Sequence, residues 1–234
     1  LSDKSSIETE CLYGEAVKII KVYKNKVNVE LLSDKYNGWI NIKDIGILPP
    51  PTHHIITPRT FLYETNDIKS KTFGFLSLGS RVACISFSNE WSKISNIYGY
   101  PSKNFFIKNS SILPLNCFLD DWVLTAERLQ ETPYRWGGKN SLGIDCSALL
   151  QLSLNTGGIN IPRNTYDQVT AIPKNIDGIN SLNRGNIVFW DRHVGIMVND
   201  KDIIHANAYH MKTCIEPLKE VLKRDPNILE IKSF

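Results

Sequence analysis

The chain has 234 residues, enough for one large domain or two to three small ones. Its 42% apolar and 22% charged residues are ordinary for a soluble globular protein, and the net charge of +3 is spread along the chain. That spread argues against a nucleic-acid partner, which needs a concentrated basic face, and the lack of an apolar run of about 18 residues argues against a membrane-spanning helix.

Leu1 to Glu10 is polar and lacks the basic-then-apolar order of a secretory signal, although a chain starting at Leu leaves a removed leader open. The five cysteines (Cys11, Cys84, Cys117, Cys146, Cys214) are odd in number and widely spaced, with no Cys-x-x-Cys pair. Neither a disulfide framework nor a zinc site is expected, and a reducing compartment suits this usage better than an oxidising one. No cofactor or metal is expected, and the chain is expected to be a monomer.

Val17–Ile20, Val27–Leu32 and Trp39–Ile42 are short β-branched or aromatic runs separated by polar turns, the pattern of a compact β barrel. The run Pro49-Pro50-Pro51 then favours an extended spacer, so a boundary is placed at residue 50. His53 and His54 follow it and are expected in a solvated linker. A second β unit is expected to residue 116, from Phe61–Tyr63, Gly74–Leu78, Arg81–Phe87, Trp91–Ile97 and Phe105–Ile107, with Pro101 ending the segment before the last run. From 117 to 234 the pattern changes. Asp120 or Asp121 can cap a helix reaching about Gln130, and Ala148, Leu149, Leu150, Leu152 and Leu154 mark a helix with a buried face beginning at Cys146. A short helix is expected from Asn164 or Thr165, then strands at Ile187–Trp190, Val194–Val198 and Ile203–His205. A helix over Glu216–Lys223 and a strand at Ile228–Ile231 complete an α+β domain.

Cys146 follows a glycine-rich loop and opens a helix, where unpaired amides and the dipole favour a thiolate. Free cysteine is also among the most buried residue types, so placement alone does not separate a nucleophile from packing. His193 opens one strand and His205 closes the next, and the short turn between them predicts an antiparallel hairpin with both histidines at one end. His193 can then act as the base and His205 can fix its tautomer. The backbone amide of Cys146 and the hydroxyl of Tyr134 are candidate oxyanion donors.

Pro133-Tyr134-x-Trp136-Gly137-Gly138, Gly143-Ile144-Asp145-Cys146-Ser147, Val188-Phe189-Trp190-x-x-His193-Val194-Gly195-Ile196 and Ile204-His205-Ala206 together resemble the NlpC-type cell-wall cysteine peptidases. The resemblance covers about residues 117–234 and implies a papain-like α+β domain with Cys146 as nucleophile, His193 as base and His205 as the orienting third residue. The two β units resemble bacterial SH3-type barrels, so the expected fold is multi-domain: two small all-β barrels followed by the peptidase domain. The combination resembles γ-D-glutamyl-diamino acid endopeptidases of the dipeptidyl-peptidase type, which act on murein stem peptides with a free N-terminal alanine. By that resemblance Glu15 and Tyr36 of the first barrel recognise the amine, and Asp145, Ser147, Arg163 and Thr165 complete the pocket. Ala148 stands where the family usually has glycine, Asn164 where an aspartate usually follows Pro-Arg, and Asn186 where an aspartate is commoner. Recycling of murein peptides implies the cytoplasm, with the periplasm or export as the alternative if a leader was removed. A non-catalytic wall-binding protein and a papain-like amidase or acyltransferase are the other readings, since the same triad serves any acyl transfer.

Overall fold

The computed structural model describes residues 7–95, 97, 99–100 and 103–234, so the segment end expected at Pro101 lies outside the described residues, as do residues 1–6. By internal packing the chain divides into two compact units: residues 11–118, and residues 119–234 together with the described residues 7–10. The proline run lies inside the first unit.

In that unit β1 (Val17–Tyr23), β2 (Lys26–Leu31) and β3 (Asn37–Asn41) form an antiparallel sheet in chain order. Val27, Val29 and Leu31 alternate inward along β2, as the period of a half-buried strand requires. Eight further strands follow: β4 (His53–Ile55), β5 (Arg59–Tyr63), β6 (Thr72–Ser77), β7 (Arg81–Val82), β8 (Cys84–Phe87), β9 (Trp91–Ile94), β10 (Phe105–Lys108) and β11 (Ile112–Pro114). They make one sheet ordered β6-β5-β10-β9-β8 and another ordered β11-β4-β7. Ile55, Leu62, Leu76, Val82, Ile94, Phe105 and Ile107 fill the core of these strands. The solvated linker expected at His53 and His54 is therefore wrong. Both histidines are buried in β4, which is paired on both sides, and the Thr52 hydroxyl lies 2.8 Å from His53 Nδ1. A central strand needs partners on both edges, and no local pattern around His53 reveals β7 and β11.

The second unit holds four helices, α1 (Val123–Arg128), α2 (Cys146–Thr156), α3 (Thr165–Ala171) and α4 (Leu218–Arg224). Asp121 Oδ1 accepts the Val123 amide at the start of α1, which stops short of Gln130. A two-stranded ladder, β12 (Lys139–Asn140) and β13 (Gly143–Ile144), shapes the loop before α2. The large sheet comprises β14 (Lys174–Asn175), β15 (Ile187–Trp190), β16 (His193–Met197), β17 (Asp202–Asn207), β18 (Lys212–Pro217) and β19 (Glu230–Ser233), ordered β14-β19-β15-β16-β17-β18. β18 corrects the expected helix over Glu216–Lys223. Thr213, Cys214 and Ile215 continue a strand paired with β17, and the helix begins only after Pro217.

α2 packs against β16 and β17 and is buried nearly all round, with ten of its eleven residues inaccessible. It is the central helix of the domain rather than a one-faced surface helix. Leu150→Ala, at a position with no exposure, should destabilise this unit by about 3 kcal/mol in urea unfolding, because the truncated side chain leaves a cavity the neighbours cannot fill.

Candidate active site

The start of α2 is fixed by Asp145. Its Oδ1 accepts from the Ala148 amide (2.8 Å), the Ser147 hydroxyl (3.1 Å) and Arg163 Nη1 (3.0 Å), while Oδ2 accepts from the Gly137 amide (3.0 Å) and Arg163 Nη2 (2.7 Å). This N-cap satisfies one of the first-turn amides and aims the helix start at the cleft. Arg163 is itself buried and also bonds Ser147 Oγ, Gly138 O and Thr9 Oγ1. A bidentate guanidinium–carboxylate pair of this kind is geometrically specific and holds both charges out of water. Gly137, at φ +71°, lies so close to the strap of residues 7–10 that an added Cβ would collide with Ile7 O. Glu10 secures the same strap through Arg135 Nη1, the Lys139 amide and Asn140 Nδ2.

The histidines sit on β16 and β17, the strands against which α2 packs. His193 Nε2 is 2.8 Å from His205 Nδ1, and His205 Nε2 is 2.8 Å from Glu216 Oε1. His205 faces Cys214 across the ladder, so Glu216 sits two residues along on the same sheet face. The same Glu216 oxygen meets His210 Nε2 at 3.2 Å and the Arg224 guanidinium. Gly195 has no room for a side chain, since a Cβ would lie 2.5 Å from Ile203 Cδ1 and 3.3 Å from the His205 Cβ. Cys146 Sγ contacts Arg192 O at 3.9 Å and the Val194 amide, the backbone on either side of His193.

A cleft of about 350 Å³ is lined by Tyr134, Asp145, Cys146, Ser147, Arg163 and Thr165, all singled out from the sequence, together with Glu8, Asn164 and the Trp190–Arg192 segment. Glu8 was not anticipated, because a carboxylate 138 residues before the cysteine carries no local signal. Glu216 was missed because the strand holding it was read as helix. Glu15 and Tyr36 belong to the other unit. There the Glu15 carboxylate accepts from the Leu12 amide (2.7 Å) and the Ser33 hydroxyl (3.1 Å), and the Tyr36 amide donates to Asp34 Oδ1 (3.0 Å). Asn186 is buried and its Oδ1 accepts the Asn183 amide, a turn-building role.

Burial sets the protonation states. It pushes the Cys146 thiol up to about 11, with the Asp145 charge adding to it, so burial outweighs the helix-start preference for thiolate. Burial, followed by the neighbouring His205 ring, which disfavours a second positive charge, lowers His193 to about 3. Each charged form is disfavoured alone, whereas a thiolate–imidazolium pair cancels both charges in one pocket, so proton transfer within the pair is the productive event. Burial, then the charges of Cys146 and Asp145, raises Tyr134 to about 12, which keeps its hydroxyl a donor. Among the described residues His205, Cys214 and Glu216 bring three metal-ligand atoms within 4.8 Å of one another. The Glu216 charge there is already met by Arg224, and Cys214 Sγ accepts from Asn207 Nδ2 at 3.4 Å.

A buried cysteine at a helix start, packed against an antiparallel sheet that carries a bonded histidine pair, is the arrangement of a papain-like cysteine peptidase. The sequence matches the model of the NlpC/P60 family over residues 131–225 and that of the bacterial dipeptidyl-peptidase Sh3 domain over residues 2–45. It is 30% identical over 110 residues to the probable endopeptidase NlpC of Escherichia coli (strain K12), covering 41% of this chain and 70% of that one. It is 26% identical over 222 residues to the γ-D-glutamyl-L-lysine dipeptidyl-peptidase of Bacillus subtilis (strain 168), covering 86% of this chain and 72% of that one. Dipeptidyl-peptidase 6 of Lysinibacillus sphaericus is 34% identical over 105 residues, 45% of this chain and 38% of the relative. The crystal structure of an NlpC/P60 family protein from Bacillus cereus superposes with a TM-score of 0.83 at 19% identity over 97% of this chain and 82% of that one, a likeness of fold. The chain belongs to the NlpC/P60 family of cell-wall peptidases, with an SH3-like domain ahead of the peptidase domain.

Two outcomes are expected. Arg163→Met leaves the Asp145 carboxylate buried without its cation and should cost roughly 3–5 kcal/mol in chemical denaturation. Between pH 3 and 6.5 the unfolded chain binds a His193 proton that the folded chain refuses, so stability falls as pH drops below 6.5. The raised thiol has the opposite sign and costs stability as pH climbs from 9 towards 11. His193→Gln should therefore flatten the acid limb of a melting-temperature profile by about one proton and leave the alkaline limb in place.

Proposed function

We propose that the protein is a cysteine peptidase that hydrolyses the γ-D-glutamyl–diamino acid bond of murein stem peptides bearing a free N-terminal L-Ala, releasing L-Ala-γ-D-Glu. The observation that carries this reading is the similarity to the γ-D-glutamyl-L-lysine dipeptidyl-peptidase, which runs through 86% of this chain instead of stopping at the peptidase region. We read the strands from β4 to β11 as a second SH3-like domain on the same grounds.

Cys146 Sγ attacks the γ-carbonyl carbon as its proton passes to His193 Nδ1, the nitrogen outside the bond to His205. The Tyr134 hydroxyl and the Cys146 amide donate to the oxygen that gains negative charge. Collapse breaks the C–N bond, His193 returns the proton to the departing amine, and water then hydrolyses the thioester. Asp145 holds its charge against Arg163, so it is not the group that meets the free amine. Glu8 adds a carboxylate to the lining of the cleft.

L-Ala-γ-D-Glu-L-Lys and its meso-diaminopimelate counterpart, each free and N-acetylated, test the reading by chromatography of products. The free peptides should yield L-Ala-γ-D-Glu and the acetylated ones should not. Equal cleavage of both forms would remove the free-end requirement, and turnover of neither would favour a non-catalytic wall-binding role. Cys146→Ala should abolish turnover with its melting temperature retained, and a rate near wild type would sink the nucleophile assignment.

A further inference from the structure

The bond from His205 to Glu216 has a consequence that reaches the cysteine. A carboxylate only accepts hydrogen bonds, so at 2.8 Å from Glu216 Oε1 the proton must sit on His205 Nε2. A neutral imidazole with its proton on Nε2 offers Nδ1 as an acceptor. His193 Nε2, 2.8 Å from that Nδ1, must then be the donor. His193 in turn is left with a bare lone pair on Nδ1. We propose that Glu216 is the positioning residue that fixes the tautomers of both histidines and thereby leaves His193 Nδ1 able to take the thiol proton.

Three groups face Glu216: His205 from β17, Arg224 from α4 and His210 from the β17–β18 turn, with Cys214 beside it on β18. Burial alone would raise the Glu216 carboxyl, but hydrogen bonds from Arg224 and His205 outweigh it and hold the group ionised. Arg224 thus keeps the acceptor an acceptor. When His193 becomes imidazolium its Nε2 proton still points at His205, and the Glu216 charge behind that ring favours the charged state. Glu216 does not line the cleft that holds Cys146, so it acts through His205.

The assignment rests on reading Cys146 and His193 as nucleophile and base, and its test needs no peptide substrate. Long-range ¹⁵N NMR of the histidine-labelled full chain near pH 7.5 reads the tautomers directly. Both His193 and His205 should carry the proton on Nε2, and a His205 proton on Nδ1 overturns the proposal. In Glu216→Gln the amide can donate as well as accept, so Nδ1-protonated forms should appear at both rings. Alkylation of Cys146 by iodoacetamide, followed by mass spectrometry to separate it from the other four cysteines, should slow roughly ten- to a hundredfold. On the peptide substrate kcat should fall with KM unchanged. A wild-type alkylation rate with wild-type tautomers in the variant overturns the proposal. If the variant does not fold, the wild-type tautomers alone decide. Failure to cleave γ-D-glutamyl peptides would instead refute the substrate reading and leave these two readouts standing.

Discussion

The buried pair of Asp145 and Arg163 is the constraint on which the rest of the site depends. Five hydrogen bonds converge on one carboxylate, and they come from three places: the first turn of α2, the glycine loop at Gly137 and Arg163, two residues before α3. A lone buried carboxylate would cost several kcal/mol, so none of those partners can leave without a large penalty. Cys146 inherits its position from this arrangement, being the residue next to the cap. Ser147 is held in the same way, between Asp145 and Arg163. The pair therefore works as a mount for the nucleophile end of the cleft, and its charge is internal.

Much of this was legible in the sequence where the signal was local. The start of α2 followed from the glycine loop and the apolar spacing after Cys146. The hairpin that joins His193 to His205 followed from two strand-like runs and a short turn, and the 2.8 Å bond between the rings reflects that register. Signals that depend on tertiary pairing were not legible. Glu216 sits in a strand because β17 lies beside it, and its neighbours from Leu218 onward are good helix formers that mask the boundary. His53 and His54 follow three prolines, yet β4 is buried between β7 and β11, strands that are distant in sequence. Asp145 and Arg163 were both visible as pocket residues, but their pairing with each other was not, because it depends on tertiary packing, so both were read as open to a substrate.

Burial, more than the helix dipole, governs the chemistry of the cysteine. The dipole and the Ser147 and Val194 amides pull towards thiolate, and desolvation with the Asp145 charge pulls harder the other way. The site consequently stores its reactivity in a neutral thiol and a neutral imidazole. Such a pair ionises together, as the proton moves from sulfur to ring. The order Arg224, Glu216, His205, His193 supplies a fixed polarity along which that transfer runs.

The strap of residues 7–10 belongs to the peptidase unit although it precedes the β unit in the chain. The backbone therefore crosses between the two units twice, once near residue 10 and once near residue 118. In connectivity terms the β unit is an insertion between two parts of the peptidase unit, where a single linker would make it an appendage. Cutting one crossing leaves the two units joined, and a fragment starting at Leu119 would lack the Thr9, Glu10 and Ile7 contacts to Arg163, Lys139 and Gly137. The peptidase unit is thus assembled from two separate stretches of the chain, and neither stretch alone contains all of its contacts.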